Sequence, residues 1–313
     1  MAVTAGRLAG RRGGAAAAAF GQWLASAALP AGQLFRLLPG VAESFRRGFV
    51  RSSGSQIPSP LMPPLAGRPS VVVSACNEAG SLPAVLRELK RLPFHEIIVV
   101  VNGSQDGSFA AARSFDGVIV VHIAERLGHD VARGIGAKLS TGDFVLFIDG
   151  DMPVSAHLLS AFLVAADRGV DVALNDIMPL LPAFDRQDEV TRCKTFLNRM
   201  MGRDDLEANS MTAVPHALSR RAIEMIGYDN LAVPPKAQTL AIRAGLRIQA
   251  VQTVDVLSVN RRRTMNRGRD NPVARLIIGD HIEALMEAMK SAGTRLQWGQ
   301  VSRDEFAIRR NGI

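Results

Sequence analysis

Four short apolar runs, each followed closely by a cluster of polar residues, constrain this chain more than anything else in it. They are Ser70 to Cys76, His95 to Val101, Val118 to His122 and Phe144 to Ile148. Each is rich in Val, Ile or Phe and bounded by turn-forming residues, which is the pattern of a strand, and the first and fourth read as buried on both faces. Between them lie helical stretches. Leu82 to about Arg91 carries Pro83 in its first turn, where a missing N–H costs nothing. A second stretch runs to about Ser114, and a third opens on a glycine in Leu127 to Lys138. Strands alternating with helices of this length build βαβ units, so the expected class is α/β with a mainly parallel sheet flanked by helices.

The fourth run ends in Asp149-Gly150-Asp151. In an open parallel sheet, ligands bind in the crevice at the C-terminal ends of the strands. A pair of carboxylates there, with the backbone pinched at Gly150, suits a hard divalent cation such as Mg²⁺ or Mn²⁺ shared with substrate phosphates. Polar residues also follow the first run (Asn77, Glu78) and the second (Asn102, Asp106), so one sheet edge gathers all three sets. Amides and carboxylates at that edge can read a nucleobase and ribose, while helix N-termini and a metal hold a diphosphate. Neither the Gly-x-Gly-x-x-Gly fingerprint nor a P-loop follows these strands, which argues against a dinucleotide fold or an NTPase.

Four segments in this order resemble family 2 glycosyltransferases with the GT-A fold: Ser-Ala-Cys-Asn-Glu-Ala from Ser74, Val-Asn-Gly-Ser-Gln-Asp-Gly-Ser from Val101, Leu-Gly-His-Asp-Val-Ala-Arg-Gly-Ile-Gly-Ala from Leu127, and Phe-Ile-Asp-Gly-Asp from Phe147. The resemblance is strong over residues 70–155 and looser over 170–250. It implies that Ala75, Asn77, Glu78 and Asp106 contact uridine or guanosine, that Asp149 lies near ribose and metal, and that Asp151 ligates the metal directly. Two departures stand out. The usual Asp-Asp-Gly-Ser of the second motif is Asn102-Gly103-Ser104, replacing one acidic contact by an amide. The third motif reads Gly128-His129-Asp130, and its His129 and Arg133 are expected to face the diphosphate.

In the second half, Val170 to Asn175 reads as a strand and Phe184 to Met201 as an amphipathic helix. Asn209 to Arg221 resembles the family's acceptor-side segment, a strand running into a helix. The Glu-Asp pair that supplies the base in inverting members is absent; the chain reads Pro234-Pro235-Lys236-Ala237-Gln238 there. An inverting displacement needs a base within hydrogen-bond reach of the acceptor hydroxyl, so Asp229 and Glu207 become the candidates. Otherwise the reaction retains configuration and the leaving diphosphate takes the proton. The segment after Val259 resembles the retaining glucosyl-phosphoglycerate synthases, without a clear counterpart to their metal-binding histidine. Arg261, Arg262 and Arg263 lie in a stretch with five Arg in ten residues, a candidate lid over a sugar nucleotide or phosphorylated acceptor. His281, on a terminal helix from about Val273 to Met289, reads as structural rather than as a third metal ligand.

Residues 1–68 form a basic extension, Ala- and Gly-rich and ending in a Pro-rich linker, ahead of one catalytic domain over 69–313 (a nucleotide-sugar half, 69–155, and an acceptor half with the last helix, 156–313). The extension holds eight Arg and one Glu, while the remainder is nearly neutral, with 29 basic against 28 acidic residues. The high net charge therefore gives no reason to expect a nucleic-acid partner. The extension is expected to be poorly ordered or weakly helical. Its Phe20 to Leu38 stretch is a candidate amphipathic helix with Trp23, Leu24, Leu34, Phe35 and Leu38 as anchors, and with Arg36, Arg46, Arg47 and Arg51 toward anionic lipid. Two cysteines make neither a disulfide framework nor a zinc set. A cytoplasmic protein is expected, with peripheral contact at the inner membrane face as the reading of the basic extension.

These readings converge on a metal-dependent transferase that moves a sugar from a UDP- or GDP-linked donor to a sugar, lipid-linked or phosphorylated small acceptor. A sugar-phosphate nucleotidyltransferase would need a glycine- and lysine-rich loop after the first strand, where Asn77-Glu78-Ala79-Gly80 stands. A non-catalytic nucleotide-sugar sensor or scaffold stays open, favoured by the absent Glu-Asp pair and opposed by the intact metal carboxylates.

Overall fold

The computed structural model describes residues 1–12, 15–27, 29, 33–257, 271–299 and 301–311. Three helices come first: α1 (Ala2–Arg12), α2 (Ala16–Ser26) and α3 (Leu34–Ser53). The α/β body then runs β1 (Pro69–Ala75), α4 (Leu82–Leu89), β2 (Glu96–Asn102), α5 (Ser108–Arg113), β3 (Val118–Ile123), α6 (Val131–Leu139), β4 (Phe144–Asp149) and α7 (Ala156–Asp167). It continues with β5 (Val172–Asn175), α8 (Glu189–Met200), β6 (His216–Ser219), α9 (Arg220–Ile226), α10 (Pro234–Arg243), β7 (Ile248–Gln252), α11 (Pro272–Ala292) and α12 (Arg303–Asn311).

The seven strands form one sheet in the order β3-β2-β1-β4-β6-β5-β7. β1, β2, β3 and β4 are mutually parallel, whereas β6 runs antiparallel between β4 and β5. The expected mainly parallel sheet is therefore present. The four opening runs appear within a residue or so of where their hydrophobicity places them. In β1 and β4 nearly every residue is buried because helices cover both faces of the sheet. The helix expected from Phe184 starts later: the Asp188 carboxylate caps it by accepting from Thr191 N at 2.7 Å, and Phe184–Arg186 forms a separate short 3₁₀ turn.

The extension corrects an expectation. It is helical, and the stretch expected as one amphipathic helix is split between α2 and α3. Leu24, Phe35 and Leu38, three of the proposed lipid anchors, are buried in the same apolar core as β1 and α7, and Trp23 and Leu34 pack partly buried against it. They have no free face to offer a membrane. Phe20, Trp23 and Phe45 stack among themselves, with ring centroids 5.2–6.1 Å apart. α1 and α3 meet backbone to backbone: a Cβ on Gly6 would fall 2.1 Å from Phe45 O, and one on Gly48 2.1 Å from Val3 O. α3 is also tied to the sheet's far edge, where the Arg36 guanidinium pairs with the buried carboxylate of Asp176. Arg46 is bound to Glu43 on its own helix. Among the described residues no helix is long and apolar enough to cross a membrane.

Candidate active site

The C-terminal ends of β1, β2 and β4 open into a cavity of about 620 Å³. Asp149 closes β4, opposite Ser74 of β1 in the register. Gly150 N donates to Ser74 O at 2.7 Å, which pins the turn and carries Asp151 round onto the same wall. Burial pushes the Asp149 carboxyl up to about 6. Arg133 opposes that rise, and the neighbouring Asp151 and Asp130 reinforce it. A desolvated carboxylate beside a second one is a site that gains by taking up positive charge.

The loops after β1 and β2 are laced together. Asn77 sits at φ 60°, a left-handed conformation that Asn tolerates better than most residues. Its N–H donates to Ser104 Oγ at 3.0 Å, and its Oδ1 accepts from Gln105 N at 2.8 Å. Asp106 accepts from Ala79 N at 3.0 Å and from Ser108 N at 2.9 Å. Slight desolvation opposes the effect, but the hydrogen bonds from Ser108 and Ala79 outweigh it and hold the carboxyl of exposed Asp106 below its ordinary value. Glu78 is buried, accepts from Ser81 Oγ at 2.9 Å and lines the cavity.

Asn102 does for the third loop what these residues do for the first two. Its Nδ2 donates to Gly128 O at 2.8 Å and its Oδ1 accepts from Leu127 N at 3.0 Å. Gly103 lets that loop come close, since a Cβ there would lie 2.6 Å from Arg126 Cβ. The clamp sets Arg126, Gly128 and His129 on the cavity wall. Arg133 is buried; it pairs with Asp130 at 3.0 Å and donates to Met211 O at 3.1 Å.

The cavity thus collects Ala75, Glu78, Asn102, His129, Arg133, Asp149 and Asp151. Asn77 and Asp106 are not on its wall; they shape it from behind. Asp229 and Glu207, the candidate bases, are exposed and lie outside the cavity. The segment where a Glu-Asp pair was sought is structural. Gln238 is fully buried, accepting from Met211 N at 2.8 Å and donating to Asn198 Oδ1 at 2.6 Å, while Lys236 pairs with Glu283 at 2.9 Å. His281 is buried on α11, its Nδ1 2.7 Å from Ile277 O, and does not line the cavity. The proposed lid, Arg261, Arg262 and Arg263, lies outside the described residues.

Sequence reading passed over two cavity cations, Arg126 and Lys194, and the apolar wall of Ile177, Val190, Val214 and Ile277. Val190 and Lys194 stand one helical turn apart on α8, so their shared face was a signal available in the spacing.

All the candidate metal ligands are oxygen donors. Among the described residues no set of three or more His, Cys, Asp and Glu is placed to hold a metal ion. Two carboxylates facing a cavity fit a hard cation that takes its remaining ligands from a bound phosphate and water. They do not fit a structural zinc site.

An open, mainly parallel sheet with paired carboxylates at the end of its central strand is the GT-A arrangement. Residues 70–222 match the family described as glycosyl transferase family 2, which assigns this segment to that family. Among curated proteins it is 27% identical over 167 residues to glycosyltransferase AglE of Haloferax volcanii, covering 50% of this chain and 54% of that protein. It is 31% identical over 113 residues to the undecaprenyl-phosphate 4-deoxy-4-formamido-L-arabinose transferase of Pseudomonas aeruginosa, covering 33% of each. The chain thus spans about half the length, or less, of these relatives. Among solved structures, glucosyl-3-phosphoglycerate synthase from Mycobacterium tuberculosis, in complex with Mn²⁺, uridine diphosphate and phosphoglyceric acid, superimposes with a TM-score of 0.53 at 20% identity. That match covers 70% of this chain and 78% of that one, and at this identity it shows the fold.

Proposed function

We propose that this protein transfers a sugar from a nucleoside diphosphate sugar, UDP- or GDP-linked, to an acceptor hydroxyl, with a divalent cation held by Asp151 and Asp149. The observation that carries this reading is the convergence of both carboxylates with the β1 and β2 loops on one cavity. Bound there, Mg²⁺ or Mn²⁺ would neutralise negative charge developing on the diphosphate leaving group. Ala75, Glu78 and Asn102 form the wall beside which a base and ribose would lie. Arg126 and His129 stand where a diphosphate would run toward the carboxylates. Arg133, spent on Asp130 and Met211 O, acts by holding the α6 end of the wall and by its charge on Asp149. Charged groups held in place before reaction lower the barrier without reorganising during it.

A second reading concerns stereochemistry. The carboxylates on the cavity wall among the described residues are Glu78, Asp130, Asp149 and Asp151, all on the β1–β4 side, and Asp130 is already paired. Among the described residues the β5–α8–α11 side puts no carboxylate on the wall itself; Asp280 of α11, whose carboxyl burial pushes up to about 6, feels Asp130 and His129 but is not among the lining residues. This favours retention, with the departing diphosphate taking the hydroxyl proton, over inversion.

The test is turnover of a panel of UDP- and GDP-sugars with Mg²⁺ or Mn²⁺, reading nucleoside diphosphate release and the anomeric configuration of the product. Metal-dependent release from one donor class supports the transferase. Tight donor binding without turnover on any acceptor favours the sensor, and binding of no sugar nucleotide removes both.

A further inference from the structure

The cavity has two cationic side chains with no hydrogen bond or ion pair among the described residues, and they stand on different elements. Arg126 follows β3 and sits beside the third loop. Lys194 projects from α8, on the β5–β7 side of the sheet. Around Lys194 the wall is apolar: Ile177, Val190, Val256 and Ile277 line it.

An amine in such a wall loses hydration and needs a counter-charge. None of the neighbouring groups among the described residues supplies one. Asp188, on the same helix, favours the charged amine from a distance, but its carboxylate is occupied in capping α8. His281 comes from α11, which packs on α8, and cannot be an anion. Burial holds it below its ordinary pKa, and Lys194 presses it further down. Burial lowers the Lys194 amine to about 8, so it still carries charge at neutral pH. Asp149 ends β4 and Asp151 follows in the turn, at the end of the cavity where Arg126 also lies.

We propose that Lys194 determines acceptor specificity, recognising a carboxylate or phosphate on an acidic acceptor whose apolar part lies along Val190, Val256 and Ile277. This rests on the nucleotide-sugar reading for its assignment to the acceptor, though the anion site itself does not. The geometry separates two anionic loads: the donor's diphosphate beside the aspartates and Arg126, and the acceptor's acid at Lys194.

The experiment titrates glycolate and inorganic phosphate into the full chain, alone and saturated with UDP and Mg²⁺, for wild type, Lys194→Gln and Lys194→Arg. Calorimetry of UDP follows in parallel. The expected result is anion binding at least tenfold weaker in Lys194→Gln, largely kept in Lys194→Arg, with UDP affinity changed less than twofold in both. Glycolate, ionised throughout, should bind wild type more weakly as pH rises through about 8, where Lys194 loses its proton, and Lys194→Gln should show no such fall. Preference between the two anions then names the acidic group.

Equal anion binding in wild type and Lys194→Gln overturns the proposal. So does a parallel loss of UDP affinity in Lys194→Gln with Lys194→Arg intact, which would assign the amine to the donor. If UDP binds no variant, the transferase reading fails; the titration of the protein alone then still decides whether Lys194 is an anion site.

Discussion

The two ends of the cavity are built in opposite ways. At the β1–β2–β4 end, short loops a few residues past each strand are tied to one another by Asn77, Asn102 and Asp106. At the β5–α8–α11 end, the wall comes from segments far apart in the chain. They are held from behind by a buried amide network in which Gln238 donates to Asn198 Oδ1, both donate to the Asn209 carbonyl, and the Asn209 side chain donates to Asp176. The first end exposes carboxylates to the cavity and the second exposes an unpaired amine. An end that presents anions suits a metal-bridged diphosphate, and one that presents a lone cation suits an acid, so in the proposed reaction the two ends would divide donor from acceptor.

The largest expected effect falls on the carboxylate end. Asp151→Ala should lower metal-dependent turnover by about a thousandfold or more, on the order of 4 kcal/mol of transition-state stabilisation. Melting temperature should shift little, because Asp151 is only half-buried and makes no hydrogen bond to the fold among the described residues. Loss of both activity and fold would erase the contrast between the two ends.

A smaller effect is expected behind the acceptor wall. Gln238→Leu strands Met211 N and leaves Asn198 Oδ1 without its donor, which should cost about 3 kcal/mol in chemical denaturation. Arg36→Ala should cost about as much, because it leaves Asp176 buried without its cation. That variant also probes the extension: no loss of stability would mean that this ion pair does not hold α3 to the sheet.

How much of this was legible follows from the same contrast. The four strands, the paired aspartates and Asn102 could be read because a strand's period and the turn after it are local signals. Asn77 and Asp106 were read as ligand contacts, and the structure adds that they knit the loops, a role that residue type alone does not give. Gln238 stands where a catalytic acid was sought, and only tertiary packing could show it to be structural. Lys194 and Arg126 were passed over because no local pattern separates a cavity cation from a solvated one. Leu24 and Phe35 were misread for a related reason: an apolar helix face looks the same whether it meets lipid or the protein's own core.

A subtler test concerns His216, which is stacked on Phe147 and buried one strand from Asp149. Burial pushes its pKa down from 6.5 to about 3, and Arg133 adds to the fall. The unfolded chain therefore binds a proton below pH 6.5 that the native protein refuses, so stability is intact above that pH and drains away as pH drops. Between pH 7 and 5 the loss should be about 2 kcal/mol from this group alone. Denaturant unfolding of wild type and His216→Gln over that range should show a shallower slope in the variant. Parallel slopes would mean that His216 protonates in place.

The most direct measurement is calorimetry of UDP binding to wild type and Asp151→Ala, each with and without Mn²⁺. The division of the cavity predicts that Mn²⁺ tightens UDP binding to wild type at least tenfold and leaves Asp151→Ala unaffected. Binding that ignores both the metal and the substitution would contradict it, as would binding that Mn²⁺ strengthens equally in the two proteins.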